Sequence, residues 1–267
     1  MLWQICGRPP LSVAAQFGNM SGFIASVRLE NAASAGNEYP FSISAVAALA
    51  QFKKGLPLHP RITFFVGENG SGKSTLMEAI AVAAGFNPEG GSKHFNFSTR
   101  ASHSKLHGAL RLVRTAKRPS TGFFLRAESF FNVATSIDAL GVTDAYGGRS
   151  LHEQSHGESF LALLQHRFGP RGLYLLDEPE SALSPRRQLA VLALLHRLME
   201  RESQLVIATH SPILLALPGA LIYELSERGI QPIAYEDTDQ FQITKSFTAD
   251  PATFLEMLLG KPTASEP

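Results

Sequence analysis

A glycine-rich segment in the first third of the chain combines the residue types that bind phosphate. Residues 67–74 follow an apolar run and fit the P-loop pattern G-x-x-x-x-G-K-[ST] at every fixed position. Glycines let successive backbone N–H groups turn toward phosphate oxygens, and the N-terminus of the following helix adds positive partial charge. We therefore predict that a nucleotide is bound by Gly67, Glu68, Asn69, Gly70, Ser71, Gly72, Lys73, Ser74 and Thr75. We expect Lys73 to reach the β- and γ-phosphates, Ser74 to ligate Mg²⁺ and Thr75 to bond the α-phosphate.

Two adjacent acids follow a second apolar run, in the segment LYLLDEPESALS. Residues 173–176 predict a buried strand, and ligands bind at the carboxyl ends of strands in α/β sheets. We expect Asp177 to hold Mg²⁺ through water and Glu178 to deprotonate the attacking water as a general base. Ordinary loop acids are the alternative, which the P-loop upstream makes less favoured.

Two further segments have the composition of phosphate-binding ends. QSHGESFLALL predicts a helix N-terminus with an outward hydroxyl and free N–H groups at Ser155 and Gly157. One nucleotide hardly needs two such ends from one subunit, so we interpret this end as a cap on the γ-phosphate held by another subunit. A plain helix cap is the alternative. In LVIATHSP, His210 follows an apolar strand, where we expect a γ-phosphate sensor rather than a structural histidine.

The order of these segments, P-loop, S-x-G-E, apolar-D-E-P and T-H-S, resembles that of the ABC-type ATPase superfamily. The similarity spans roughly residues 23–227 and is closest to soluble AAA-family ATPases related to SMC-like and recombination-repair proteins. It implies Mg²⁺-dependent ATP hydrolysis by two subunits that meet head to tail and enclose two ATP molecules. Each site would join Lys73, Ser74, Asp177, Glu178 and His210 of one chain to Ser155 and Gly157 of the other.

The sequence departs from the family pattern at three places. His156 stands where the usual L-S-G-G signature has its first glycine, and Ser184 ends a loop that more often contains aspartate. The segment GFFLRAESFF lacks the glutamine that the family uses to contact Mg²⁺ and water. Glu128 is our candidate for that metal contact, because a carboxylate binds Mg²⁺ or its waters. A buried structural ion pair between Arg126 and Glu128 is the alternative.

A basic segment without any acid extends from Gly90 to Ala127. Three interpretations remain open: a solvated sheet whose charges pair with acids elsewhere, a surface for nucleic acid or another polyanion, and extra contacts to nucleotide phosphates. The aromatic residues in KHFNF favour the second, since they can stack on bases. The cations of this 93–126 segment are Lys93, Arg100, Lys105, Arg111, Arg114, Lys117, Arg118 and Arg126, with His94, His103 and His107 among them.

Alternating strand and helix patterns predict the elements that position these residues. The fold class that they indicate is α/β, a P-loop NTPase fold with a mostly parallel sheet flanked by helices and an antiparallel β subdomain. Strands are predicted at 23–30, 61–66, 122–126, 173–176, 204–208 and 220–225. Helices are predicted at 73–84, 158–167, 185–200 and 251–259, the last with Asp250 as N-cap and Gly260 after its end.

The domain organisation that we expect is one ATPase domain over residues 21–260. It includes a basic insertion or β subdomain at about 86–127 and a signature helix at about 155–168. Residues 1–20 are predicted to form a poorly ordered arm, unless Met20 is the true start, and residues 261–267 a tail. The opening residues lack the basic start and apolar core of a signal peptide.

Composition excludes several classes of protein. The 267 residues are 44% hydrophobic and 18% charged with net charge +1, which gives no global preference for nucleic acid or membrane. No apolar run approaches the roughly 18 residues of a membrane span, and the single Cys6 rules out an intramolecular disulfide. We expect a cytoplasmic protein without a long coiled coil, since no heptad array is present.

Three functions are compatible with this pattern. The first is an ATPase whose ATP-bound homodimer drives an unidentified protein partner, with nucleic acid as a further candidate partner. The second is a slow, ATP-gated switch, which His156 and the absent glutamine favour. The third is the nucleotide-binding subunit of an ABC transporter, which the absent glutamine argues against.

Overall fold

The computed structural model describes residues 21–30, 38–92, 105–139, 152 and 155–260. The predicted N-terminal arm and the tail at 261–267 therefore lie outside the described residues. The strands are β1 (Ile24–Leu29), β2 (Leu56–Pro57), β3 (Ile62–Val66), β4 (Leu110–Arg114), β5 (Thr121–Arg126), β6 (Gly172–Asp177), β7 (Gln204–Ala208), β8 (Leu221–Ser226) and β9 (Gly229–Ile233).

The helices agree with the predicted ones where the periodicity was strong. They are α1 (Ser44–Ala48), α2 (Lys73–Ala84), α3 (Leu106–Ala109), α4 (Phe130–Ala139), α5 (His156–Arg167), α6 (Pro185–Glu200), α7 (Pro212–Leu215), α8 (Asp239–Ala249) and α9 (Pro251–Leu259). The cap predicted for α9 is confirmed, because the side chain of Asp250 accepts a hydrogen bond from the N–H of Thr253. The sequence analysis missed the helices α1, α3, α4, α7 and α8 and the strands β2, β4 and β9.

The main sheet of the described residues has six strands in the order β5-β6-β7-β3-β8-β9. All neighbours are parallel except β8 and β9, which form an antiparallel hairpin. Arg126 pairs with Asp177 and Asp177 with Ala208, so the ends of β5, β6 and β7 lie side by side at the carboxyl edge. This register collects the predicted site segments at one edge, and the predicted mostly parallel α/β fold is confirmed.

A second, antiparallel sheet has the order β2-β1-β4. Of its three strands, β4 alone comes from the predicted subdomain at 86–127, and the other two precede the P-loop in the chain. The buried amide of Gln204 connects this sheet to β7. Its Oε1 accepts hydrogen bonds from the N–H groups of Phe23 and Ile24 at 2.7 and 2.9 Å, and its Nε2 donates to the carbonyl of His59 at 3.0 Å.

Apolar side chains cover both faces of the main sheet. Because side chains alternate along a strand, Phe64 and Val66 of β3 belong to the core cluster under α5 and α6, whereas Phe65 belongs to the cluster under α2. The P-loop helix and the signature helix therefore pack on opposite faces. No helix of the described residues is long and apolar enough to cross a membrane.

Candidate nucleotide-binding site

The P-loop leaves the fully buried strand β3 and turns sharply before α2. Gly67 has a φ of 141°, and a Cβ added there would lie 2.1 Å from the carbonyl oxygen of Leu225. Any side chain would clash with that backbone atom, so glycine is required at this position. Gly72 is the N-cap of α2 with a left-handed φ of 98°, and no side chain caps the helix. The loop thus opens the helix N-terminus instead of closing it.

Polar groups of the loop face its interior. The Nζ of Lys73 donates hydrogen bonds to the carbonyls of Gly67 and Glu68 at 2.8 and 2.9 Å, although Lys73 is only 4% exposed. Burial lowers the pKa of this lysine, and the charges of Glu178 and Asp177 oppose that effect. Lys73 is therefore held inside the loop, where we predicted phosphate contacts.

Ser74 and Asp177 meet where α2 begins and β6 ends. The hydroxyl of Ser74 donates to Oδ1 of Asp177 at 3.2 Å, across 103 residues of sequence. Burial raises the pKa of Asp177 to about 6, and the charge of Arg126 opposes the rise. Two hard oxygen donors, the predicted metal ligands, are thus side by side.

Glu178 follows in an unusual backbone conformation. Its φ is 52°, in the left-handed region that costs a residue with a side chain about 1 kcal/mol or more. Its N–H donates to the carbonyl of Ala208 at 2.9 Å, which fixes the turn after β6. The side chain is 39% exposed. Two adjacent acids thus differ in exposure, because Glu178 is solvent-accessible and Asp177 is buried.

His210 lies beside Glu178, with Nε2 3.7 Å from Oε1 of that residue. Burial and the charge of Lys73 lower the pKa of His210, so the neutral ring is favoured. Its Nε2 is buried and makes no hydrogen bond within the described part of the chain. Its backbone N–H donates to the side chain of Glu180, a supporting residue that the sequence analysis missed. The sequence signal that could have identified Glu180 is the third acid of the segment D-E-P-E, which begins at Asp177.

These residues fit Mg²⁺ and a nucleoside triphosphate. The buried hydroxyl of Ser71 has no hydrogen-bond partner among the described residues, and neither do the backbone N–H groups of Gly72 and Lys73. Such orphan donors need an acceptor, and phosphate oxygens supply one. The described residues contain no group of three His, Cys, Asp or Glu side chains that would bind a metal ion. Ser74 and Asp177 are the side chains that would hold the metal, because their oxygens lie 3.2 Å apart at the mouth of the loop.

The remaining predicted P-loop residues also lie in the loop or the first turn of α2. Glu68, Asn69 and Gly70 are exposed, whereas Thr75 is half-buried. The structure shows no contact that tests whether these four residues bind a nucleotide, so their roles stay predictions.

Glu128 lies on the rim of this site. Its side chain is 84% exposed, and its Oε2 lies 3.2 Å from Nη2 of Arg126. The ion pair with Arg126 exists, but the glutamate is not buried in it. The role of Glu128 as a metal ligand stays a prediction. Arg126 is the side chain that approaches Asp177 from β5, with Nε 3.8 Å from Oδ2.

Ser155 and Gly157 begin α5, as predicted. The N–H and the hydroxyl of Ser155 both donate to Oε2 of Glu158, at 3.0 and 2.7 Å, and form a capping box. Arg187 of α6 lies 3.1 Å from the other oxygen of Glu158. A Cβ on Gly157 would lie 2.5 Å from Nη1 of Arg187 and 2.9 Å from the carbonyl oxygen of Ala182. Close packing therefore explains why residue 157 is a glycine. The side chain of His156 and residue Gln154 lie outside what the structure describes.

The basic segment is described in part. Lys93, His94, Arg100 and His103 lie outside the described residues. Three of the described cations are ion-paired with acids from other segments: Arg111 with Glu30 at 3.8 Å, Lys117 with Glu202 at 3.4 Å and Arg126 with Glu78 at 2.8 Å. This pairing agrees with the first of the three interpretations for those cations.

Comparisons with known proteins support a nucleotide-binding role. One AAA-domain family matches residues 43–126, and an AAA-domain family whose description also names an AbiEii toxin and a type IV TA system matches residues 142–216. The thiamine import ATP-binding protein ThiQ of Vibrio cholerae is 31% identical over 168 residues. That match covers 56% of this chain and 68% of ThiQ.

Solved structures give more distant likenesses. An SMC head domain from Thermotoga maritima is 16% identical with a TM-score of 0.39, and the match covers 67% of this chain and 92% of that domain. An ABC transporter assigned to the metal-chelate type is 19% identical with a TM-score of 0.41, over 70% of this chain and 78% of the transporter chain. By its sequence match to ThiQ, and in agreement with the P-loop geometry, this chain belongs to the ATP-binding family of ABC-type P-loop ATPases.

Proposed function

We propose that this protein is a Mg²⁺-dependent ATPase that forms a head-to-tail homodimer around two ATP molecules. The observation that carries the proposal is the contact between Ser74 and Asp177, 3.2 Å apart at the mouth of the P-loop. Lys73, Glu178 and His210 follow β3, β6 and β7, whose carboxyl ends lie at the same edge of the sheet as this contact. Hydrolysis at a γ-phosphate requires all of these groups to act on one small volume.

Each side chain has a distinct part in the proposed reaction. Lys73 contacts the β- and γ-phosphates and stabilises the charge that develops there. Glu178 accepts a proton from water as the water oxygen attacks the γ-phosphorus and the bond to ADP breaks. His210 donates a hydrogen bond to the departing phosphoryl group from its otherwise unpaired Nε2. Bound Mg²⁺, held by Ser74 and Asp177, would neutralise phosphate charge.

The dimer is proposed because the second phosphate-binding end belongs to the other face of the sheet. α5 packs with Phe160 and Leu163 in one core cluster, whereas α2 packs with Leu76 and Met77 in the other. Within one chain, the two helix N-termini therefore belong to different layers. In a head-to-tail pair, Ser155 and Gly157 of one subunit would cap the γ-phosphate on the other.

A concentration series tests this function directly. ATP hydrolysis per subunit would be measured with Mg²⁺ present while the protein concentration rises. We expect the specific rate to climb and then to reach a plateau, since each site needs two chains. A rate that is measurable at high dilution and constant throughout would reject the shared site, unless light scattering shows a dimer at every concentration.

A slow ATP-gated switch is the second candidate, and Arg126 favours it. A guanidinium has no hydrogen-bond acceptor, so it cannot ligate Mg²⁺ or accept a hydrogen bond from water as a glutamine carbonyl can. In this version an unidentified protein partner responds to the ATP-bound dimer, and turnover only resets it. Turnover of isolated protein that is very slow or absent, combined with ATP-dependent dimerisation, would select the switch. We place either activity in the cytoplasm.

Nucleic acid remains a candidate partner through the 93–126 segment. Of its cations, Lys105 is exposed and Arg118 donates only to nearby backbone carbonyls among its assigned hydrogen bonds. Binding that rests on such charges weakens steeply with salt, because counterions are released on binding. DNA and RNA binding that is absent at low salt would remove this partner.

A further inference from the structure

Arg126 is the cation on the β5 side of the proposed metal ligands, and its surroundings are unusual. Its side chain is 18% exposed and lies among three carboxylates. Nη1 lies 2.8 Å from Oε2 of Glu78, Nη2 lies 3.2 Å from Oε2 of Glu128, and Nε lies 3.8 Å from Oδ2 of Asp177. The three contacts come from α2, the segment after β5, and the end of β6.

The contact to Glu78 holds the guanidinium in place. Glu78 lies one turn after Ser74 on α2, so both side chains project from the same face of the P-loop helix. Its side chain is 13% exposed, and a buried Arg–Glu pair at 2.8 Å is geometrically well defined. Arg126 and Asp177 are also direct neighbours in the register of β5 and β6. Backbone and side chain together fix the charge beside Asp177.

The third contact is incomplete. The Nε–H of Arg126 is buried and forms no hydrogen bond within the described residues, and 3.8 Å to Asp177 is too long for one. An unpaired buried N–H of a charged group is costly, so an acceptor is expected there in the working state. The candidates are a carboxylate oxygen of Asp177 or a phosphate oxygen of bound nucleotide.

We propose that Arg126 is a positioning residue that serves as a built-in counter-cation of the nucleotide site. Its positive charge offsets the negative charge of the Asp177 carboxylate before a metal ion binds. ATP, which is itself a polyanion, can therefore bind without Mg²⁺. This inference rests on the proposed function and adds a property to it: nucleotide binding is only weakly dependent on metal. The physical reason is that ATP must otherwise approach two adjacent acids, Asp177 and Glu178, with Lys73 as the opposing charge.

The experiment compares ATP affinity with and without metal. Dissociation constants for a fluorescent ATP analogue would be measured in excess Mg²⁺ and in EDTA, and their ratio taken for each variant. We expect Arg126→Gln to raise the ratio of the EDTA value to the Mg²⁺ value by roughly 10- to 100-fold, the range for loss of one charge-assisted contact. Arg126→Lys keeps the charge and should stay within about threefold of the wild type.

A matched control uses an arginine that also pairs with a glutamate but far from the loop. Arg28 lies 3.2 Å from Glu30 and is 46% exposed, so Arg28→Gln should leave the ratio unchanged. If the ratio in Arg126→Gln equals that of the wild type, or if Arg126→Lys shifts it as much as Arg126→Gln does, the counter-cation role is overturned.

Two further results separate this inference from the proposed function. If the wild type binds ATP neither with Mg²⁺ nor in EDTA, the proposed function itself fails. If it binds Mg²⁺–ATP normally but no ATP in EDTA, only the role of Arg126 fails. The latter comparison needs no variant, so the role of Arg126 can be refuted even where Arg126→Gln does not fold.

Discussion

The N-termini of α2 and α5 differ in what satisfies their backbone donors. At α2 the N-cap is a glycine without a side-chain cap, Lys73 is buried, and N–H groups at the loop have no acceptor among the described residues. At α5 the N-cap Ser155 is exposed and bonded to Glu158, which also pairs with Arg187. The sequence predicted a phosphate-binding end at each of these two helices. The N-terminus of α2 is open, whereas that of α5 is closed by side chains of its own chain.

This difference teaches that a helix N-terminus is available to a ligand only where its side chains leave it unsatisfied. At α2 a phosphate would gain contacts that the chain does not provide. At α5 a phosphate must compete with the carboxylate of Glu158 for the Ser155 hydroxyl. The closed end of α5 therefore suits a transient contact that is made and released in a dimer. The open end of α2 suits the main contacts to the nucleotide.

The largest effect is expected from Glu178→Gln, which removes the proposed base at the open end. Turnover should fall by about 10²- to 10⁴-fold, the range for loss of a general base. Nucleotide affinity should remain, because the amide keeps the shape of the side chain. ATP hydrolysis and light scattering would be measured together, and the variant should accumulate as an ATP-bound dimer.

The matched control for this change is Glu200→Gln, on an acid that is 64% exposed on α6. It should hydrolyse ATP as the wild type does. Full turnover in Glu178→Gln would show that another group accepts the proton.

Lys73→Ala tests the open end itself. Loss of charge-assisted contacts to phosphate should weaken ATP binding by roughly 10- to 100-fold. Titration of a fluorescent ATP analogue measures the change, with Lys54→Ala, on an exposed lysine, as the control. Undiminished affinity in Lys73→Ala would contradict the phosphate role of the P-loop lysine.

Ser155→Ala tests the closed end. The variant should bind ATP as the wild type does at high dilution, because Ser155 acts on the other subunit. Its maximal turnover at high protein concentration should fall by roughly tenfold, the loss of one hydrogen bond to a charged group. Removal of the N-cap should also lower the free energy of unfolding by about 1 kcal/mol. If affinity falls at high dilution, Ser155 contacts nucleotide within its own subunit or stabilises the site indirectly.

The smallest effect concerns the acid that closes α5. Hydrogen bonds from the side chain and then the N–H of Ser155 lower the pKa of Glu158 in the folded protein below its unfolded value. Its contribution to stability is therefore present above the unfolded pKa of about 4.3 and is lost as the pH falls through the folded pKa. Glu158→Gln should lower the melting temperature slightly near pH 7, and by progressively less as the pH falls below the unfolded pKa. A melting difference that does not change with pH would show that the charge of Glu158 is not what closes the helix.

Much of the fold and the open end of the site followed from sequence. The P-loop, the strand before Asp177 and the histidine after β7 were all placed correctly, because each depends on a short run of neighbouring residues. Apolar periodicity predicts where a strand runs, and the last residue of that strand then lies at the carboxyl edge of the sheet. The parallel sheet then brings these edges together without further information.

Three contacts were beyond the reach of the sequence. Arg126 meets Glu78 across 48 residues, the Gln204 amide meets Phe23 across 181, and His210 meets Glu180 across 30. None of these side chains has a local pattern that names its partner. The strand pairing of the antiparallel sheet was likewise missed, since β1 pairs with β4 and with β2 through contacts between segments that are distant in the sequence.

The sequence by itself determined which residues have phosphate and metal chemistry, because that chemistry depends on residue type and short spacing. Only the tertiary structure decided which cation stands beside Asp177, and which cation pairs with the Glu158 carboxylate that closes α5. Those outcomes depend on side chains from distant segments, Glu78 on α2 and Arg187 on α6, whose positions are set by packing against the sheet. Local sequence specifies the groups, and long-range packing specifies which of them are left unsatisfied for a ligand.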